Sequence, residues 1–157
     1  KRQGIRKDIE GKNVAKFLQK ISQEGKKPIT SFILAGHGGR SSKDGNAFTI
    51  NSLSRLEKKP SFSRAQQKKG PVRCWFSVVA TVMFSGCSSS SFAKQFAREF
   101  MRKGTTVAGT NQPIGTFVHP VKGPRIVYGY SNDPKTQDLK ENDYYSSKVW
   151  ETFNGNL

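Results

Sequence analysis

Residues 75–91 read WFSVVATVMFSGCSSSS, which joins the most apolar run of the chain to a cysteine and four serines. The run at residues 75–84 has the length and the β-branched and aromatic content of a buried strand. An apolar side chain then recurs every four residues, at Phe92, Phe96 and Phe100. This spacing predicts a helix with one apolar face, which we expect a serine to cap at its start and residues 102–104 to end.

A second buried strand is predicted upstream, at residues 29–35 (ITSFILA). It ends in Gly36-His37-Gly38-Gly39, where glycines allow the backbone to turn sharply. His37 precedes Cys87 by 50 residues, and each follows a predicted strand. Two adjacent parallel strands would bring the imidazole and the thiol together at the carboxyl edge of a sheet, where ligands bind in α/β proteins.

The remaining elements complete an α/β pattern. We predict an amphipathic helix from residue 13 to near residue 25, a hairpin at residues 44–50, and a short strand at residues 105–109. Residues 116–121 and 125–130 predict a further β-hairpin, a candidate flap, and residues 131–157 form a polar, acidic tail with aromatic anchors. Strands that alternate with helices favour one α/β domain, with a mostly parallel sheet flanked by helices.

Length and composition limit the class of protein. A chain of 157 residues has room for one domain with a single main core. No apolar stretch reaches the ~20 residues of a transmembrane helix. The chain begins without methionine and carries no signal-peptide hydrophobic region, so we expect a domain excised from a longer protein.

The net charge of +16 is concentrated before residue 131. Residues 1–130 hold 24 Lys and Arg against 6 Asp and Glu, whereas residues 131–157 hold 3 against 5. A basic arm at residues 1–12 and a basic loop at residues 54–73 contribute much of this excess. Such an imbalance indicates a polyanionic partner, which could be nucleic acid, anionic lipid or a multiply phosphorylated small molecule.

The two cysteines, Cys74 and Cys87, are too few for a disulfide framework, and with two histidines they show no paired metal-ligand spacing. We therefore expect reduced thiols and no metal. Cys74 fits a small buried apolar residue. A rival catalytic pair of Cys74 and His119 is disfavoured, because Cys74 begins its strand and would lie at the opposite edge of the sheet.

Cys87 and His37 are the candidate catalytic residues. A thiol with a pKa near 8.5 needs help to form the attacking thiolate. The start of the following helix favours an anion by ~0.3–1 kcal/mol, and His37 can accept the thiol proton. The backbone N–H groups of Gly38 and Cys87 are the candidate oxyanion donors. We interpret the serine run as a helix cap and not as a source of nucleophiles.

The block from residue 29 to about residue 115 resembles the caspase-like fold of caspases, legumains, separases and gingipains. The matching features are strand-His37-Gly38, strand-Gly86-Cys87, and then a helix and the strand TTVAG. Caspases also place histidine about 50 residues before cysteine. The segments GHGG and SGCSSSSFAKQF are most similar to self-processing cysteine protease domains of large bacterial toxins and related effectors. This resemblance implies a secreted thiol protease that cleaves its own chain or a host protein in the host cytosol.

The same resemblance implies allosteric activation by inositol hexakisphosphate, bound at a basic surface beside the hairpin flap. Several Lys and Arg side chains must meet such a ligand together. The first candidates are Lys122 and Arg125 on the hairpin. The basic loop and the basic arm supply the others, which are Lys58, Lys59, Lys68, Lys69, Arg73, Lys1, Arg2, Arg6 and Lys7.

Two functions of other classes remain open. The first is a nucleic-acid-binding module that acts through its charge, although the phenylalanines follow core-like spacings and not those of stacking platforms. The second is a catalytically inactive caspase-like scaffold that binds phosphoinositide membranes. Salt-dependent binding that is indifferent to Cys87 would favour the first, and an unreactive Cys87 with lipid binding would favour the second.

Overall fold

The computed structural model describes Lys20, residues 27–37 and residues 75–156. Within these ranges the chain forms seven strands and one α-helix, α1 (Ser90–Phe100), which lies between β2 and β3. The strands are β1 (Ile29–Ala35), β2 (Phe76–Ser85), β3 (Thr106–Thr110), β4 (Ile114–His119), β5 (Gly123–Tyr128), β6 (Lys140–Asp143) and β7 (Trp150–Asn154). The α/β class predicted from the sequence is confirmed.

The strands form two sheets. The first has the order β1-β2-β3-β7, in which the first three strands are parallel and β7 is antiparallel to β3. The second is an antiparallel meander with the order β4-β5-β6. Two of the five strand pairs among the described residues are thus parallel, and the sheets are mixed. A mostly parallel sheet flanked by helices is not confirmed, because the C-terminal third contributes antiparallel strands.

One face of the first sheet packs against α1. The phenylalanines of the helix lie on β2, and the Phe84 ring meets Phe92 and Phe96 edge-on at centroid distances of 4.7 and 5.1 Å. Phe100, 1% exposed, lies against the same core. Burial of each phenylalanine side chain stabilises the fold by about 1.5–3 kcal/mol. The predicted four-residue spacing is therefore the face that attaches the helix to the sheet.

The other face is covered by the second sheet and the C-terminal segment. Met83 and Ala108 of the first sheet pack with Ile126 and Tyr128 of β5 and with the buried Trp150. The Trp150 indole donates a hydrogen bond to the Tyr144 carbonyl at 2.6 Å. Residues 131–157, which the sequence predicts to be a polar tail, therefore supply β6, β7 and part of a core. The sequence pattern does not predict β6 because its residues (KEND) include no apolar side chain.

Strand bounds agree with the sequence in the first sheet and shift in the hairpin. β1 has the predicted bounds, but the prediction that it is a buried strand is wrong: it ends the strand order of the first sheet, and none of its residues is buried. β2 and β3 each lie one residue later than predicted. The hairpin strands lie two residues earlier, at residues 114–119 and 123–128. The reason is that the chain reverses over residues 119–122, the hairpin turn, with Gly123 at a φ of +75°.

Several predicted elements lie outside the described residues: the hairpin at 44–50, the basic arm, the basic loop, and the helix at 13–25 apart from Lys20, which is helical. Across the described ranges, no helix is both long enough and apolar enough to span a membrane.

Candidate functional site

The carboxyl ends of β1 and β2 lie side by side. The two strands are parallel neighbours, Ala35 is in register with Ser85, and the Gly36 N–H donates to the Ser85 carbonyl at 3.1 Å. His37 and Cys87 each lie two residues beyond that registered pair, so the two residues follow their strands at the same edge of the sheet. His37 is exposed and Cys87 is half-buried. The structure therefore brings these two segments together.

Cys87 lies in a tight turn, residues 86–89, which we call the Cys87 turn. The turn begins with a hydrogen bond from the Gly86 N–H to the Phe84 carbonyl at 3.1 Å. Ser88 has a φ of +51°, in the left-handed region that side chains other than glycine rarely adopt. Its N–H donates to the Gln112 carbonyl at 3.1 Å. These features reverse the chain between β2 and the start of α1.

The Cys87 thiol contacts the backbone at the start of β4. The Ile114 N–H donates to Sγ at 3.4 Å, and the thiol can donate to the Ile114 carbonyl at 3.5 Å. Cys87 is a free cysteine. The Ile114 N–H is thus a hydrogen-bond donor placed at the sulfur, and the thiol lies just before the first turn of α1. No sequence pattern marks Ile114, because its contribution comes from the backbone.

The Cys87 N–H forms no hydrogen bond with any residue in the described ranges. It is thus available to a substrate oxygen, as expected of an oxyanion donor. Gly38, the second expected donor, lies outside the described residues.

The buried hydroxyls of Ser89 and Thr110 fix the Cys87 turn through hydrogen bonds. Ser89 Oγ donates to the Phe84 carbonyl at 2.6 Å and accepts from the Thr110 N–H at 2.9 Å. Thr110 Oγ1 donates to the Gly86 carbonyl. A serine, Ser89, occupies the N-cap position of α1 as predicted, but its side chain makes no cap hydrogen bond because it bonds β2 and β3 instead. No local pattern could mark Thr110, whose partners lie more than 20 residues away.

The hairpin candidates for polyanion binding are in unlike environments. Lys122 is exposed on the hairpin turn and forms no ion pair with a described residue. The Arg125 side chain is 13% exposed and pairs with Glu141 at 2.8 Å and with Asp143. The hydrogen bond from Arg125 lowers the pKa of Glu141. Two carboxylates therefore already compensate the Arg125 charge. The candidates of the basic arm and basic loop lie outside the described residues.

The rival histidine is remote from Cys87. His119 lies at the hairpin turn, at the opposite end of β4 from Ile114, which is about 17 Å for a six-residue strand. Its Nδ1 accepts hydrogen bonds from the Val121 and Lys122 N–H groups, both at 3.1 Å. Cys74, its predicted rival partner, lies outside the described residues. His119 thus stabilises the hairpin turn.

Tyr144 is a further side chain near the Cys87 turn, and the sequence predicts it only as one of the aromatic anchors of residues 131–157. Burial raises its pKa, and a hydrogen bond with the Ser85 side chain acts in the opposite direction. Ser85 is the last residue of β2 and lies two positions before Cys87. Tyr144 thus ties the C-terminal segment to the carboxyl edge of the sheet.

Searches of family models, of curated proteins and of solved structures returned no significant match to this chain.

Proposed function

We propose that this protein is a cysteine endopeptidase, with Cys87 as its nucleophile and His37 as its general base. The observation that carries the proposal is the register of β1 and β2. In this register the carboxyl ends of the two parallel strands lie next to each other at the same edge of the sheet. A thiol and an imidazole from adjacent strand ends form the minimal pair for acyl transfer. The Cys87 N–H, which has no hydrogen-bond partner among the described residues, and the Ile114 N–H directed at sulfur support the same chemistry.

The reaction proceeds in two acyl-transfer steps. The Cys87 thiol gives its proton to His37, and sulfur attacks the peptide carbonyl while the carbonyl oxygen becomes an oxyanion held by the Cys87 N–H. Collapse of this intermediate breaks the C–N bond, and His37 returns the proton to the leaving amine. Water then attacks the thioester with His37 as base, which releases the acid and regenerates the thiol.

The free edge of β4 supports a polypeptide substrate. Among the described strands β4 pairs with β5 alone. Ile114 directs both its N–H and its carbonyl to Cys87, away from β5. Because backbone groups alternate sides along a strand, Thr116 and Val118 also face away from β5. Pro124, the partner of Val118 in the register, is consistent with this orientation of Val118, because it has no N–H to donate and its carbonyl accepts from the Tyr144 N–H instead.

An extended peptide that adds to this edge would continue directly to the sulfur. Thr116 and Val118 would supply main-chain hydrogen bonds, as in other cases of strand addition. The Ile114 position is occupied by Cys87 itself, so the scissile carbonyl would lie where the added strand meets the thiol. This arrangement favours an endopeptidase for extended segments, including a segment of its own chain.

We extend the proposal to activation by a polyanion such as inositol hexakisphosphate. β4 runs from Ile114, which contacts Cys87, to the hairpin turn that carries the exposed Lys122. An anion bound at this turn and at other basic residues would order the strand that contacts the nucleophile. The net charge of +16 supplies the electrostatic attraction.

The test is alkylation of Cys87 by iodoacetamide, followed site by site by mass spectrometry, with and without inositol hexakisphosphate. Cys74 is the internal control. We expect fast alkylation of Cys87, faster still with the polyanion, and slow alkylation in His37→Ala. The matched control His119→Ala, remote from the thiol, should alkylate as wild type does when inositol hexakisphosphate is absent.

Cleavage of an unfolded protein substrate completes the test. Cys87→Ala and His37→Ala should each abolish cleavage and retain the wild-type circular dichroism spectrum. Equal, slow alkylation of both cysteines, or cleavage retained in either variant, contradicts a peptidase. Steeply salt-dependent binding of nucleic acid or of phosphoinositide vesicles, unaffected by Cys87→Ala, would then favour a basic binding module.

A further inference from the structure

The peptide bond between Gly86 and Cys87 carries two groups that matter for the proposed reaction. Its N–H is the candidate oxyanion donor, and its carbonyl accepts a hydrogen bond from Thr110 Oγ1. No cis peptide bond occurs among the described residues, so the carbonyl and the N–H of this rigid unit point in opposite directions. The Thr110 hydroxyl, by holding the carbonyl, therefore fixes the direction of the Cys87 N–H.

The surroundings of Thr110 make this contact persistent. Thr110 and Ser89 are both fully buried, so water does not compete for their hydroxyls. The Thr110 N–H donates to Ser89 Oγ, and the two hydroxyl oxygens are 3.4 Å apart. β3 and the start of α1 also approach so closely that a Cβ on Gly109 would lie 2.6 Å from the Ser89 carbonyl oxygen. These contacts restrict Thr110 and so maintain its hydrogen bond to the Gly86 carbonyl.

We infer that Thr110 is a positioning residue of the peptidase, which orients the oxyanion donor of Cys87 without contact with substrate. This inference rests on the proposed function and adds a residue from a third strand to its site. It requires that loss of the Thr110 hydroxyl slows reactions that develop an oxyanion, and spares reactions of the same thiol that do not.

Two reagents separate these cases. p-Nitrophenyl acetate acylates the thiol: an S–C bond forms at the carbonyl through a tetrahedral oxyanion, p-nitrophenolate leaves, and His37 takes the thiol proton. Iodoacetamide alkylates it: an S–C bond forms at a saturated carbon, iodide leaves, His37 again takes the thiol proton, and no oxyanion develops. The readout is the ratio of the two rates at Cys87, with each adduct located by mass spectrometry.

We expect Thr110→Val to lower the acylation rate of Cys87 about tenfold, less than the ~10²-fold loss when an oxyanion donor is removed outright. Its alkylation rate should stay within about twofold of wild type, because that step uses no oxyanion donor. Thr110→Ser retains the hydroxyl and should restore acylation. Thr106→Val, at the other end of β3, is the matched control and should leave both rates unchanged.

Other outcomes overturn the inference in distinguishable ways. An equal fall of both rates in Thr110→Val assigns Thr110 a merely structural role, and an unchanged acylation rate removes any role; both leave the peptidase intact. Wild-type Cys87 that acylates no faster than Cys74 overturns the peptidase and this inference together. Thr110→Ala repeats the comparison with a smaller side chain, so a folding defect of the valine variant does not decide the result.

Discussion

The Cys87 turn and the hairpin turn each reverse the chain within four residues, but different parts of the chain hold them. Hydrogen bonds reach the Cys87 turn from Thr110, Gln112 and Ile114, all distant in sequence. The hairpin turn is held from within, by His119 Nδ1, which accepts from two N–H groups of the same turn.

The two turns also differ strongly in burial. Ser89 of the Cys87 turn is 0% exposed, whereas Val121 of the hairpin turn is 88% exposed. A backbone held by buried contacts from several elements keeps reactive groups in fixed positions, as a nucleophile requires. A turn held by its own side chain in solvent can change with little effect elsewhere. The two turns should therefore respond unequally to matched substitutions.

The largest effect should come from Gly109→Ala, which tests the contact behind the Cys87 turn. A Cβ at this position would lie 2.6 Å from the Ser89 carbonyl oxygen and 2.8 Å from the Ala93 Cβ. The start of α1 has to move, which we expect to cost about 3 kcal/mol, or roughly 10 °C in Tm. Thermal unfolding followed by circular dichroism measures it. An unchanged Tm would show that α1 is not held against β3.

Ser89→Ala should have the next largest effect. It deprives the Thr110 N–H of its acceptor in a fully buried position, so we expect a loss of about 1–2 kcal/mol in the free energy of unfolding. Ser91→Ala is the matched control on the exposed side of the first turn of α1 and should change stability by less than about 0.5 kcal/mol. Equal effects of the two variants in urea denaturation would contradict the role given to the Ser89 hydroxyl.

The same two turns show what sequence can and cannot predict. Apolar runs of strand length predict β1 and β2, and the four-residue spacing of the phenylalanines predicts α1, because that helix buries one face on the sheet. The adjacency of His37 and Cys87 follows from two such strands. No sequence pattern predicts the roles of Thr110 and Ile114. Thr110 acts through a hydrogen bond to a residue distant in sequence, and Ile114 acts through its backbone. β6 likewise depends on pairing with β5, which polar residues can satisfy.

A smaller effect is expected from Gly123→Ala, next to the hairpin turn. Gly123 has a φ of +75°, but a Cβ there would meet no atom within 4 Å. The cost is backbone strain alone, about 1 kcal/mol, well below that of Gly109→Ala. Gly123→Asn should recover part of it, because asparagine tolerates this conformation. A loss in Gly123→Ala that equals the loss in Gly109→Ala would remove the contrast between the two turns.

The smallest effect should arise at the ion pair beside the hairpin, where Glu141 bonds Arg125 on the adjacent strand. The hydrogen bond from Arg125 lowers the pKa of Glu141 below its usual 4.5. This pair therefore contributes stability above the unfolded-state pKa and loses it as the pH falls through the lower folded-state pKa.

Glu141→Gln should flatten that acid-side decrease, since glutamine does not titrate. Tm measured from neutral pH to about pH 3 should fall slightly less steeply in the variant than in wild type. Glu141 is exposed to solvent, so salt should shrink the difference between the two curves. The matched control Glu151→Gln, an exposed carboxylate on β7, should leave the slope unchanged. If Glu141→Gln instead steepens the curve, Arg125 holds the hairpin through Asp143 and not through Glu141.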